Sequence, residues 1–160
     1  QNVATWAKAR AQRSEEGILL KEGDSFVHQE VDSIGEIQKA EIQLRNTGGA
    51  VQELLLTGSD GTMKVTYEYN IRLMLGVPGG EIHKNDGNIS EGGNLLPSGY
   101  FVMEPVEEEG TLTGYQIYGG GLGHGAGMSQ NGAKVLAEEG YGYDEILQYF
   151  YHEIRLARLE

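Results

Sequence analysis

Apolar and polar positions alternate along residues 40–67 with the two-residue period of a half-buried strand. Ala40, Ile42 and Leu44 alternate with Glu41, Gln43 and Arg45, and Met63, Val65 and Tyr67 alternate with Lys64 and Thr66. Between them, Val51–Thr57 contains Leu54-Leu55-Leu56, which predicts a strand covered on both faces. Asn46-Thr47-Gly48-Gly49 and Gly58-Ser59-Asp60-Gly61 supply turn residues at both junctions. Three strands joined by tight turns predict an antiparallel meander.

Helical periods flank this block. Val3, Trp6 and Ala9 predict a helix over Asn2–Glu16, ended by Gly17, whereas Ile18–Ser33 shows no decisive period. Tyr67, Ile71, Met74 and Leu75 share one face of a short helix, which Gly76 and Pro78 stop. Gly79–Asn94 reads as a loop with a small hairpin at Asp86-Gly87. Strands follow at Tyr100–Met103 and Leu112–Tyr118, separated by the acidic turn Glu107-Glu108-Glu109-Gly110. Met128, Gly132, Val135 and Leu136 then predict a helix ending near Gly140. Tyr143, Ile146, Leu147 and Phe150 predict another, with Asp144 and Glu145 in its first turn. Ile154 and Leu156 are expected to form a last short strand. The fold class is α+β: an antiparallel strand meander with short helices and a glycine-rich strand-to-helix joint near the C-terminus. Residues 1–160 read as a single domain, with a helical or irregular segment over 1–33 and the main body over 34–160.

Composition narrows the functions. Twenty-four acidic residues against 12 basic ones leave a formal charge of −12. Such a surface repels phosphate backbones and anionic membrane faces, so nucleic acid is not an expected partner. The chain has no cysteine, which excludes disulfides and thiolate zinc sites. His28, His83, His124 and His152 show no paired ligand spacing, so no metal and no cofactor are expected. No apolar run approaches the roughly 20 residues of a membrane span. The chain opens at Gln1 without methionine or signal peptide and reads as a mature or excised segment, with any targeting signal upstream.

The chemistry concentrates in Gly119-Gly120-Gly121-Leu122-Gly123-His124-Gly125-Ala126-Gly127-Met128-Ser129-Gln130. A glycine run between strand and helix lets a ligand approach the main chain closely. No Lys-Ser or Lys-Thr ends the run, so it is not a P-loop. A dinucleotide fingerprint is matched only loosely, by Gly121, Gly123 and Ala126, without the parallel strands and helices it requires. A tight crossing that needs small residues remains open as a packing explanation. His124 fits either a core imidazole or a groove residue, and Ser129 either a helix N-cap or a ligand contact. There is no nucleophile-elbow motif. Of the carboxylates only Glu104, within Phe101-Val102-Met103-Glu104-Pro105, has apolar neighbours, and no general acid can be named from residues alone.

Gly123–Gln130, followed by Gly132-Ala133, Gly140, Ile146-Leu147 and Tyr149-Phe150-Tyr151, resembles the C-terminal signature of the stage II sporulation protein D and LytB family. Weaker blocks agree: Asn46–Val51, Glu68-Tyr69-Asn70-Ile71-Arg72 and Leu96-Pro97-Ser98-Gly99-Tyr100-Phe101. The resemblance covers roughly residues 35–156, and Ala126 departs from the valine common at that place. It implies a peptidoglycan lytic transglycosylase of engulfment and cell-wall remodelling, acting outside the cytoplasm from an upstream membrane anchor. It further implies denuded glycan strands as substrate, with a cell-wall amidase and membrane engulfment proteins as partners. The family's catalytic glutamate, and the zinc site of some members, lie in an N-terminal block absent here, so this chain alone is expected to be inactive. The alternative is a non-catalytic wall-binding or scaffold module that enhances a partner amidase. What the resemblance carries over is a substrate-binding set of His124, Gly125, Gly127, Met128, Ser129, Gln130 and Arg72.

Overall fold

A computed structural model describes residues 17–29 and 33–157 of the chain, so the helix expected over 2–16 lies outside the described residues. Internal contacts divide the chain into two compact units, Gln1–His124 and Gly125–Glu160.

The first unit is built on a five-stranded sheet. Its strands are β1 (Ile18–Glu22), β2 (Ser25–Val27), β3 (Ile37–Arg45), β4 (Val51–Gly58) and β5 (Thr62–Thr66). They lie in the order β2-β1-β5-β4-β3, every neighbour antiparallel. The expected meander is β3-β4-β5. The indecisive stretch after residue 18 adds a hairpin, with Ile18 opposite Val65 and Leu20 opposite Met63. Its Ile18-Leu19-Leu20 run hides the alternation that would have marked a strand. Leu54 lies opposite Val65 and Leu56 opposite Met63, which puts four buried side chains on one face of the sheet. Leu55, on the other face, is half-buried. Leu44 departs from its expected inward position and is 50% exposed. Register shifts on both sides of it break the two-residue phase of β3.

Helix α1 (Glu68–Met74) buries Ile71 and Met74 against this face, while Tyr67 stands outside it and is exposed. The hairpin of β8 (Phe101–Glu108) and β9 (Thr111–Gly119) adds Phe101, Met103 and Ile117 to the same core. Each such side chain stabilises the fold by about 1.5–3 kcal/mol when fully buried. At the hairpin tip, Glu109 (φ 51°) and Gly110 (φ 79°) both have positive φ, the conformation whose twist matches that of paired strands. Across the core, Tyr115 Oη accepts the Ala40 N–H at 2.6 Å, which satisfies an amide of edge strand β3. A smaller hairpin, β6 (Glu81–His83) with β7 (Ile89–Glu91), turns at Asp86-Gly87 as the sequence predicts. The Asn88 backbone and side-chain N–H groups both donate to the Asp86 carboxylate and hold it below the usual carboxylate range.

The second unit holds α2 (Gln130–Glu138) and α3 (Tyr143–Phe150). Ile146 is its buried apolar side chain among the described residues, and Val135 of α2 is exposed. Gly132 brings α2 close to α3, since a Cβ there would sit 3.0 Å from the Phe150 ring. The Glu145 carboxylate accepts the Gly142 N–H at 2.8 Å at the start of α3; glycine has no side chain to complete a capping box. The strand expected at Ile154 and Leu156 does not form, and both residues are partly exposed in irregular chain. A strand requires a ladder partner for its backbone, and this unit has no strand among the described residues.

Two glycines separate close packing from open space. A Cβ on Gly58 would lie 1.9 Å from the Ile34 carbonyl oxygen, which already accepts the Asp60 N–H. A Cβ on Gly114 would meet nothing within 4 Å. Gly58→Ala is therefore expected to destabilise by about 1–3 kcal/mol in urea titration. Gly114→Ala is expected to stay within about 0.5 kcal/mol of the native chain.

Candidate functional site

The glycine run is tied down by a buried cation. Arg72, in the last turn of α1, is 5% exposed. Its Nη1 donates to Glu68 Oε1 at 2.8 Å, one helical turn back. Its Nε donates to the Leu96 carbonyl at 2.8 Å and its Nη2 to the Pro97 carbonyl at 2.9 Å. The rigid fork of a guanidinium suits three acceptors in different directions. The same Pro97 oxygen also accepts the Gly123 N–H at 2.9 Å. One carbonyl thus joins α1 to the residue before His124.

Ser98 makes the second stitch. It is buried, pairs with Gly123 in an isolated parallel bridge, and donates its hydroxyl to the Gly120 carbonyl. Its oxygen also accepts the Tyr100 N–H at 3.2 Å. The Leu96–Tyr100 segment is therefore a bracket that holds the run on leaving β9. Gly99 fits there because a Cβ would meet Glu68 Cγ at 2.7 Å.

Beyond the bracket, the backbone follows an unusual rhythm. Gly121, Gly123, Gly125 and Gly127 all have positive φ, at 85°, 109°, 68° and 71°, while Leu122, His124 and Ala126 between them do not. Alternation of left-handed and ordinary φ forms neither helix nor strand, and only glycine adopts it without strain. The residues between the glycines carry the side chains outward: Leu122 is 89% exposed and His124 is exposed. His124 is therefore not a core histidine.

In the second unit, Gly125, Gly127, Met128, Ser129 and Gln130 are all exposed. The Met128 N–H donates to Tyr151 Oη at 3.2 Å, which fastens the entry to α2. Ser129 is the N-cap of that helix, and its Oγ accepts the Gly132 N–H at 3.1 Å. Gln130 is the first residue of α2. His124 is thus exposed at the end of the first unit and Gly125–Gln130 at the start of the second, whereas Arg72 is internal and its bonds go to the protein. Sequence reasoning placed Pro97, Ser98 and Glu68 in the weaker blocks of the resemblance but gave them no role, and these residues position the run. The Leu96–Phe101 block carried the signal, and nothing in its composition distinguished a bracket from a strand start. No group of three or more His, Asp or Glu suited to a metal occurs among the described residues.

Arg72→Met leaves the Glu68 carboxylate unpaired at low exposure and is expected to cost about 3–5 kcal/mol in chemical denaturation. Adding Glu68→Met should recover only part of this, because the Leu96 and Pro97 carbonyls still lack their donor. Gly127→Val combines a positive φ with a Cβ 3.2 Å from Tyr151 Oη. It is expected to lower thermal stability, while His124→Ala changes it by under about 1 kcal/mol. Equal losses from the two would make His124 a structural residue.

One curated relative is the amidase enhancer of Bacillus subtilis (strain 168), 57% identical over 37 residues, which are 23% of this chain and 5% of that protein. The chain thus spans only a small part of the length of that relative. No solved structure matches it. Residues 2–127 match the family described as a domain of unknown function, DUF8618, and since that match takes in most of the sequence, the chain belongs to this family.

Proposed function

We propose that this chain is a non-catalytic cell-wall module that raises the activity of a partner amidase. The observation that carries the proposal is its 57% identity, over 37 residues, with a protein named amidase enhancer. The exposed segment from His124 to Gln130 is suited to a polymer: glycines admit close backbone approach, and His124 and Gln130 offer hydrogen bonds to hydroxyl and N-acetyl groups. Ser129 Oγ already serves α2 as acceptor, which leaves its O–H for such a contact. The polymer in this reading is a peptidoglycan glycan strand without stem peptides, met outside the cytoplasm. No helix among the described residues is long and apolar enough to cross a membrane.

The histidine–glycine block favours a second reading, as the C-terminal part of a stage II sporulation protein D type lytic transglycosylase. That activity needs a carboxylic acid near the leaving oxygen. Among the described residues the buried polar side chains are Asn70, Arg72 and Ser98, and the nearly buried Glu68 is engaged by Arg72. Glu104 is exposed in mid-strand, opposite Gln116. The enhancer reading therefore comes first.

The test is the rate at which a purified cell-wall amidase releases stem peptides from isolated walls, with and without this chain. A several-fold increase that falls with His124→Ala is expected, and an unchanged rate would refute the enhancer reading. Mass spectrometry of denuded glycan strands incubated with the chain alone should detect no anhydro-sugar ends. Their appearance would restore the transglycosylase reading, with Glu104→Gln as the first variant to examine.

A further inference from the structure

The β8–β9 hairpin turns one face to the core and, among the described residues, leaves the other exposed. Residues directly opposite each other share a face, so Val102 with Tyr118, Glu104 with Gln116, and Val106 with Gly114 form the outer one. Val102 is 51% exposed, Val106 40% and Tyr118 52%. Gly114 adds a bare patch of backbone, since a Cβ there would meet nothing. Tyr118 opposite Val102 places an exposed aromatic and an exposed apolar side chain side by side at one end of this face, with Val106 beyond the Glu104–Gln116 pair, a composition suited to an interface anchor.

Charge decides what such a face accepts. Residues 101–119 contain four glutamates, Glu104, Glu107, Glu108 and Glu109, and no lysine, arginine or histidine. A second copy of the chain would set glutamate against glutamate and carries the same −12 charge, so self-association is disfavoured. Glycan strands stripped of peptides expose lactyl carboxylates, which Glu104 in the middle of the face would repel. A protein surface with an apolar centre and a lysine- and arginine-rich rim complements both the apolar residues and the acids.

We propose that the outer face of the β8–β9 hairpin, anchored by Tyr118 and Val102 and oriented by Glu104, is the docking surface for a basic protein partner. Within the enhancer reading, on which this inference rests, that partner is the amidase. Partner binding is thereby assigned to residues other than those of the His124–Gln130 segment assigned to the wall.

The probe is a purified cell-wall amidase of net positive charge, titrated with the full chain by isothermal calorimetry at low and moderate salt. Tyr118→Ser and Glu104→Lys are each expected to weaken binding about tenfold. Glu138→Lys, a like charge change on α2 and outside the hairpin sequence, should stay within about twofold. Added salt should weaken native binding several-fold. Thermal melting of each variant checks that the fold is retained, and both substitutions lie on the exposed face. Where a variant melts early, Val102→Thr replaces it. Binding that both hairpin variants leave unchanged, or that Glu138→Lys weakens equally, would overturn the hairpin assignment while leaving the enhancer reading standing. Absence of any binding by the native chain would overturn both. Concentration-dependent dimerisation lost in Tyr118→Ser, or protection of Tyr118 by denuded glycan strands, would assign the face to another occupant and refute the proposal.

Discussion

The buried guanidinium of Arg72 is the constraint on which the candidate site depends. A cation at 5% exposure is tolerable only when its charge is paired and its donors are occupied. Glu68 provides the charge, and the Leu96 and Pro97 carbonyls occupy the remaining directions. The arrangement is bound to be all-or-none, because loss of any acceptor leaves a buried charge under-solvated. The 96–98 segment therefore cannot move independently of α1. Since Pro97 also holds Gly123, and Ser98 holds Gly120, the glycine run inherits that rigidity up to His124. A flexible stretch of glycines, each costing more conformational entropy to order than any other residue, is fixed from outside by two residues that are not glycine.

This explains which parts of the molecule were legible in the sequence. Strand alternation at β3–β5, the turns at 46–49 and 58–61, the Asp86-Gly87 hairpin and the two last helices all follow local rules, and they appear where those rules put them. Leu44 escaped because a bulge is a register event between strands, invisible in the spacing of one of them. The Ile154–Leu156 strand was wrong because a strand is defined by its partner, and two apolar residues at alternate positions do not supply one. Glu68 and Arg72 stand at i and i+4, the spacing of an ordinary surface pair. Their burial comes from residues 24 and 25 positions further on, a distance over which composition says nothing about contact. Arg72 was selected for its chemistry, and it is the neighbours of that chemistry that place it inside.

The glycine run shows the opposite balance. Its local pattern was conspicuous, yet composition left His124 suspended between core and surface. Backbone conformation resolves this. With Gly121, Gly123, Gly125 and Gly127 at positive φ and the residues between them at ordinary φ, the chain cannot join a sheet or a helix at this point. Side chains of Leu122 and His124 are left without a regular element to pack under, and both are exposed. Leu122, at 89% exposure, adds nothing to the core and stands as a single apolar residue on the surface, which is ordinary in folded chains.

Charge then distributes the possible contacts. The −12 net charge excludes broad attraction to an anionic wall polymer, so any glycan contact has to come from short-range hydrogen bonding where carboxylates are sparse. Residues 119–132 contain no acidic residue and present the exposed His124 imidazole. The hairpin at 101–119, by contrast, carries Glu107, Glu108 and Glu109 at its tip and Glu104 in mid-strand, with Val102 and Tyr118 toward its base. Like-charge repulsion falls off within about one Debye length, roughly 8 Å at physiological salt, so adjoining segments of one chain can favour ligands of opposite charge. In the proposed reading, a glycan and a basic protein would therefore be drawn to different segments of the chain by different forces, hydrogen bonding in one and charge in the other.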